Sequence, residues 1–282
     1  NGDDLCKGDV TGDVSEMDMR RVQIRETIIS HFQKEQELFK LGIKTLSLFF
    51  IDEVAKYRQY NEDGNELLGE YGRIFEQEYI SVLNEYRTFL DADYMKYLDA
   101  VDVHEVHRGY FSIDKKTGRS VDSSVKRGTD MSDDISAYDL ILKNKERLLS
   151  FEEPTRFIFS HSALREGWDN PNVFQICTLK HSDSTTQKRQ EVGRGLRLCV
   201  NQAGNRMDAE TLGDKVHEIN VLTVIASESY APFVADLQKQ IRDVLYDRPT
   251  KATIEYFSGK SIKIDGKPVK VDDRQARAIY QY

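Results

Sequence analysis

Arg194 and Arg197 stand three residues apart in Gln190-Glu191-Val192-Gly193-Arg194-Gly195-Leu196-Arg197. On a helix entered at Ser184 this spacing puts both guanidinium forks on one face. Two forks aimed the same way suit a phosphate group, which each can grip through two N–H donors. Between Lys188 and Arg206 five basic residues face one acid, Glu191, a local charge of +4 in a chain whose formal charge is −8. A lone arginine pair usually marks a solvated helix face. Here Gly193 and Gly195 each cost a helix up to ~1 kcal/mol relative to alanine, which argues that something approaches this backbone closely.

A second polar cluster precedes it. The apolar run Phe157-Ile158-Phe159 reads as a buried strand ending in Ser160-His161-Ser162, followed by Ala163-Leu164-Arg165-Glu166-Gly167-Trp168-Asp169-Asn170-Pro171-Asn172 and a second buried strand from Val173. Short polar groups at the C-terminal end of a parallel strand occupy the edge where open α/β sheets bind ligands. Alone, Trp168 would be a core residue and Asp169 a turn former.

Other spacings that could carry chemistry are weaker. Ser258-Gly259-Lys260-Ser261 resembles the end of a phosphate loop but lacks the earlier glycine, and strands rather than a helix surround it. It reads as a hairpin loop. Asp52-Glu53, after the apolar run Leu46–Ile51, has the look of a magnesium-binding strand end, yet no Gly-Lys-Ser or Gly-Lys-Thr precedes it. His104 and His107 miss the zinc-protease spacing by one residue and read as a surface or partly buried pair. Asp91, Asp93 and Asp99 form a solvated face.

The elements that must position these groups follow from periodicity. Residues 1–19 are an acidic loop with a short strand. Val22, Ile24, Ile28, Ile29, Phe32, Leu38 and Phe39 recur at helical spacing from Met19 to about Leu41, with Gly42 where the helix should stop. Thr45–Ile51 is a continuous apolar run, as in a strand buried on both faces of a parallel sheet. Residues 66–98 predict one long helix or two, broken at Gly69 and Gly72. Val106–Ile113 reads as a strand, Lys115–Asp134 as a surface loop that admits insertion or disorder, and Ile135–Leu149 as a helix. Buried strands at Arg156–Ser160 and Val173–Leu179, a helix at Ser184–Leu198, a strand at Glu218–Ala226 and a helix at Tyr230–Leu245 complete an alternation that implies a parallel sheet with helices on both faces. After Pro249, Ala252–Phe257 and Ser261–Ile264 read as strands, with a turn at Asp265-Gly266 before Val269–Val271.

Bulk properties narrow the class. A length of 282 residues allows one large or two modest domains. Residues 1–18 read as an entering linker, 19–248 as an α/β domain with a helical insertion at about 62–100, and 249–282 as the start of a truncated β-rich segment. No apolar run approaches the ~20 residues that cross a bilayer, so no membrane role is expected. Cys6, Cys177 and Cys199 are odd in number and form no C-x-x-C pair, which fits a reduced, cytoplasmic protein. The net −8 argues against an all-over basic nucleic-acid binder but leaves room for a basic face.

These motifs resemble those of superfamily 2 helicases. Gly167-Trp168-Asp169 after Ser162–Glu166 looks like motif V, and Gln190–Arg197 looks like motif VI, Q-x-x-G-R-x-x-R. The run Phe157–Cys177, and Leu46–Tyr57 around motif IV, are similar to the Res (restriction/helicase) subunit of type III restriction endonucleases. The resemblance covers roughly Met19 to Leu245. It implies a second RecA-like motor domain, sets aside magnesium at Asp52 and Glu53, and assigns Arg194 and Arg197 to the triphosphate as arginine fingers. It further implies that Gly167, Asp169, Gln190 and Gly193 line the ATP site and that Ser162 and Arg165 touch the DNA backbone.

The first RecA-like domain, with its phosphate loop and magnesium-binding acids, and a nuclease domain are parts of such subunits that this sequence does not carry. Together with the absent initiator Met, that leads us to expect a central fragment, inactive by itself and binding neither ATP nor Mg2+ alone. The parent would be an ATP- and Mg2+-dependent endonuclease acting on double-stranded DNA with a methyltransferase (Mod) subunit. Two other readings remain open at this point: a superfamily 2 translocase or repair helicase without nuclease, and a non-catalytic RecA-like interaction module.

Overall fold

The computed structural model describes residues 16–113, 119–121, 146–161, 170–180, 184–226, 230–246, 253–264 and 267–281. The chain divides into two compact units, with the boundary between Ser229 and Tyr230, whereas the sequence reading places it at 248/249.

Helix α1 (Glu16–Phe39) buries Ile24, Ile28, Phe32 and Leu38 along one stripe. It stops where the amides of Leu41, Gly42 and Ile43 fold back onto the carbonyls of Leu38 and Phe39. Gly42 sits at φ +66°, a left-handed conformation that glycine adopts without Cβ strain. The chain then enters β1 (Leu46–Phe50), all five residues of which are buried.

Five strands form the central sheet: β1, β2 (His107–Tyr110), β3 (Phe157–Ser160), β4 (Val173–Thr178) and β5 (Thr223–Ile225), in the spatial order β2-β3-β1-β4-β5. Every pairing is parallel, with Ser47 opposite Phe157 and Phe50 opposite both Ser160 and Thr178. The expected α/β class with a parallel sheet is what is found. Because strand side chains alternate, Phe49, Ile51, Phe157, Phe159 and Cys177 join one cluster with α1, while Leu46, Leu48, Phe50, Ile158, Val173 and Ile176 join another. Leu148 and Leu222 pack on that second cluster.

Between β1 and β2 the insertion comprises a hairpin (Arg58–Tyr60 with Glu66–Leu68), α2 (Glu70–Tyr86), a 3-10 turn (Arg87–Phe89) and α3 (Ala92–Asp99). There are thus two helices, and residues 66–68 are strand rather than helix. Gly69 marks the switch: a Cβ there would lie 2.5 Å from the Lys56 carbonyl, so only glycine lets the hairpin and α2 meet so closely. Tyr71, Phe75 and Tyr79 of α2 complete the cluster under α1.

Other expectations need correction. The helix predicted over 184–198 ends at Val192, and the strand predicted over 218–226 is a helical turn (Val216–Ile219) followed by β5. Of the Lys115–Asp134 loop only 119–121 are described, and Ser120–Val121 pairs there with Ser112–Ile113. Of Ile135–Leu149 only 146–149 are described, with a 3-10 turn at Arg147–Leu149.

The second unit begins with α5 (Tyr230–Tyr246). Residues 254–257 form a helical turn rather than a strand, because Thr253 caps it by accepting the Tyr256 amide at 3.3 Å. The hairpin Ser261–Ile264 with Lys267–Lys270 is antiparallel as expected. The β-rich expectation misses α6 (Asp273–Gln281), opened by a reciprocal cap in which Asp272 accepts the Gln275 amide and Gln275 accepts the Asp272 amide. Among the described residues no helix is long and apolar enough to cross a membrane.

Candidate functional site

The arginine segment begins on α4 (Thr185–Val192), a helix with little apolar surface. An ion pair anchors it instead. Buried Glu191 lies 2.6 Å from Lys180, whose ammonium stands 5.4 Å from the centre of the Phe50 ring at the end of β1. Past Val192 the helix tightens and stops, with the Gly193 amide on Arg189 O, Arg194 on Glu191 O and Gly195 on Val192 O. Arg194 and Arg197 therefore do not share a helix face. They lie on the turn and bend that follow it.

The close approach anticipated at the glycines is real, and its agent at Gly195 is internal. A Cβ on Gly195 would meet Leu222 Cδ1 at 2.4 Å. Leu222 fills the space a side chain would need, and itself packs on the sheet's second cluster. The turn carrying both arginines is thus seated on the sheet through one glycine–leucine contact. Arg197 donates from Nη1 to the Arg194 carbonyl at 2.6 Å, which fixes its guanidinium against the turn. Burial lowers the Arg194 guanidinium from its ordinary value, and the like charge of Arg197 lowers it further, against the opposing pull of Glu191. The charge of Arg197 is thus felt at half-buried Arg194. Gln190 and Gly193 are exposed.

Ser162, Arg165, Gly167 and Asp169 lie outside the described residues. Their flanks are described. Ser160 ends β3 at the C-terminal edge, opposite Phe50 and Tyr110, while Asn170, Pro171 and Asn172 lead into β4 at the N-terminal edge. Asn172 was not singled out in the sequence, yet it ties the entry of β4 to β1 and to the chain just past the arginine segment. Its carbonyl accepts the Leu46 amide, its Oδ1 accepts the Val200 amide at 2.9 Å, and its Nδ2 donates to Val200 O at 2.9 Å. The sequence signal was Asn170-Pro171-Asn172, whose first side chain also accepts the Asn172 amide.

Beyond Arg197 the chain forms a short hairpin from Cys199 to Met207, and a groove of about 910 Å³ opens beside it. Arg197, Arg206, Pro171 and Leu149 are among its walls. A pair of guanidiniums with apolar walls is a donor set that fits a phosphorylated ligand.

The remaining candidates are structural. Asp52 pairs with Lys56 and accepts from the Tyr71 hydroxyl at 3.3 Å, so it braces the insertion. His104 and His107 share Oε1 of Glu76, at 2.6 and 3.1 Å, and His107 also bonds Tyr57. Cys177 and Cys199 are free and buried, and burial pushes their thiols up to about 12 and about 11. Among the described residues no group of three or more His, Cys, Asp or Glu could hold a metal ion.

No family model matches the chain. Curated relatives do. The chain is 45% identical over 185 residues to the Res subunit of the type III restriction-modification enzyme EcoP15I of Escherichia coli, and equally so to the EcoPI Res subunit of Escherichia phage P1. Each match takes in 64% of this chain and 17% of the relative. Against the StyLTI Res subunit of Salmonella typhimurium it is 38% identical over 211 residues, 66% of this chain and 20% of that one. The chain therefore spans a fifth or less of the length of the curated relatives it matches.

Proposed function

We propose, taking as premise that this chain is homologous to a segment of the Res subunits of type III restriction-modification enzymes, that it supplies the second motor domain of an ATP-dependent restriction endonuclease subunit. In this reading Arg194 and Arg197 stabilise charge that develops on the phosphoryl group of ATP as it is transferred. Gly167, Asp169, Gln190 and Gly193 line the nucleotide, and Ser162 and Arg165 hold the backbone of double-stranded DNA. The phosphate loop and the Mg2+ ligands come from a first RecA-like domain of the same subunit. A methyltransferase (Mod) subunit is the partner, and the cytoplasm is the site of action.

The observation that carries this reading is the turn 193–197. Gly195 lets it seat on Leu222, and the bond from Arg197 to the Arg194 carbonyl holds the Arg197 guanidinium against the turn at the edge of an open groove. Arginine fingers work by such preorganisation, and their removal costs about 10³–10⁵ in turnover. The test is ATPase of the full-length subunit, with and without DNA, for wild type, Arg194→Ala and Arg197→Ala. A fall of about 10³-fold in DNA-stimulated turnover, with ATP-independent stability unchanged, is expected. Unchanged turnover in both variants overturns the assignment.

A further inference from the structure

The hairpin that follows Arg197 is closed by a dense set of hydrogen bonds. Val200 and Arg206 form an antiparallel bridge, the Met207 amide donates to Cys199 O at 2.8 Å, and the Asn201 amide donates to Asn205 O at 3.1 Å. At the tip, Asn201 Oδ1 accepts the amides of Ala203 and Asn205, while Gly204 takes φ +78° to close the turn. The hairpin is also bolted to the sheet. Asn172 grips Val200 on both its backbone groups, Asn220 Oδ1 accepts the Cys199 amide at 2.9 Å, and the Gln202 amide donates to Gly42 O at 2.8 Å. All these bonds use backbone or amide groups and none uses the Arg206 side chain.

What this scaffold presents is Arg206. This exposed residue lines the same groove as Arg197, together with Leu149, Pro171 and one acid, Glu146. Among the described residues neither arginine forms an ion pair with a carboxylate. Two guanidiniums that line one groove, one of them carried on a hydrogen-bonded hairpin, are a donor set that can take up a polyanion. The apolar walls and the amides of Asn201 and Gln202 add surface for the uncharged part of a nucleotide.

We propose that Arg206 is a further substrate-binding residue, a second guanidinium for the phosphate chain of the nucleotide that Arg197 engages. The proposal rests on the reading of Arg197 given above. It differs in kind from that role: Arg206 grips phosphate in ground state and transition state alike, so its loss raises KM more than it lowers kcat.

The experiment measures steady-state ATPase of the full-length subunit with its partner and DNA, for Arg206→Ala, Arg206→Lys and Arg197→Ala, with DNA affinity read in parallel. Arg206→Ala is expected to raise KM for ATP about tenfold while kcat stays within about twofold and DNA affinity is unchanged. Arg206→Lys, which keeps the charge but not the fork, is expected to recover part of that loss. If KM is unmoved by Arg206→Ala while Arg197→Ala abolishes turnover, Arg206 has no such role and the motor assignment stands. If Arg197→Ala is itself silent, the underlying reading fails first. A loss of DNA affinity at unchanged KM assigns the groove to backbone phosphate and overturns the proposal.

Discussion

Arg156 donates from Nη1 to Oε2 of Glu35 across 2.7 Å, and solvent reaches neither side chain. Glu35 comes from α1 and Arg156 from the residue before β3, so the pair joins helix to sheet. Tyr94 of α3 donates to the same carboxylate oxygen at 2.6 Å, and the rings of Tyr79 and Tyr97 flank the guanidinium at 5.5 and 5.6 Å. Four elements thus meet on one buried charge pair.

Removing one partner strands the other charge away from water, at a cost of about 3–5 kcal/mol. Glu35→Gln is expected to lower the stability of the chain by that amount in chemical denaturation, whereas Glu35→Leu combined with Arg156→Met is expected to cost much less. The acid limb tests the same pair. Burial pushes the Glu35 carboxyl up, but Arg156 and then His31 outweigh it and leave it at about 2. A carboxyl depressed in the folded state contributes stability above its ordinary value of 4.5 and loses it as pH falls towards 2. Wild type should lose stability across that window more steeply than Glu35→Gln; equal slopes would show that the carboxylate carries no such charge.

Gly195 and Leu222 make a second testable contact. Gly195→Ala would place a methyl 2.4 Å from Leu222 Cδ1, and overpacking of this kind costs about 1–3 kcal/mol. Leu222→Ala removes the obstacle at the price of a cavity. The two changes together are expected to be less destabilising than the sum of the two alone, and a double-mutant cycle reads the difference. Strict additivity would mean that the two residues do not touch.

The imidazole pair offers a measurement by NMR titration. Hydrogen bonding to Glu76, with its charge, raises exposed His104, whereas burial lowers His107 against the pull of the same carboxylate. His104 is therefore expected to titrate above His107, and Glu76→Gln to lower His104. Since a raised folded value adds its stability in full below the ordinary 6.5 and loses it as pH climbs through the raised value, that increment should vanish in Glu76→Gln. Coincident titration of the two imidazoles in wild type would contradict the assignment.

Much of this was legible before any coordinates. The three-to-four spacing of Ile24, Ile28 and Phe32, the stop at Gly42 and the unbroken run at Leu46–Phe50 are strong local signals, and each became the expected element. What escaped depends on contacts between distant residues. Leu67 and Leu68 carry a helical period but pair with a strand, because Gly69 must meet the Lys56 backbone. The arginine segment has helical spacing to Leu198, yet ends at Val192 because Gly195 must pack against a leucine 27 positions on. Asn172 was unmarked for the same reason: its partners, Leu46 and Val200, are brought to it only by the fold. The Asp272-x-x-Gln275 cap, by contrast, was a local signal that the hairpin reading of the tail obscured.

The spatial order of the sheet also governs how the molecule can be made. β1 lies at its centre, yet it precedes the sheet's other described strands in the chain, and both neighbours, β3 and β4, follow more than a hundred residues later. At translation rates of about 5–20 residues per second, Leu46–Phe50 waits roughly 5–20 s for its first partner. During that delay an apolar strand has both edges open, the condition under which chains stick to one another. Helix α1, complete before β1 emerges, packs Ile24, Ile28 and Phe32 into the same cluster as Phe49, so early docking of that helix on β1 would set the yield of folded protein.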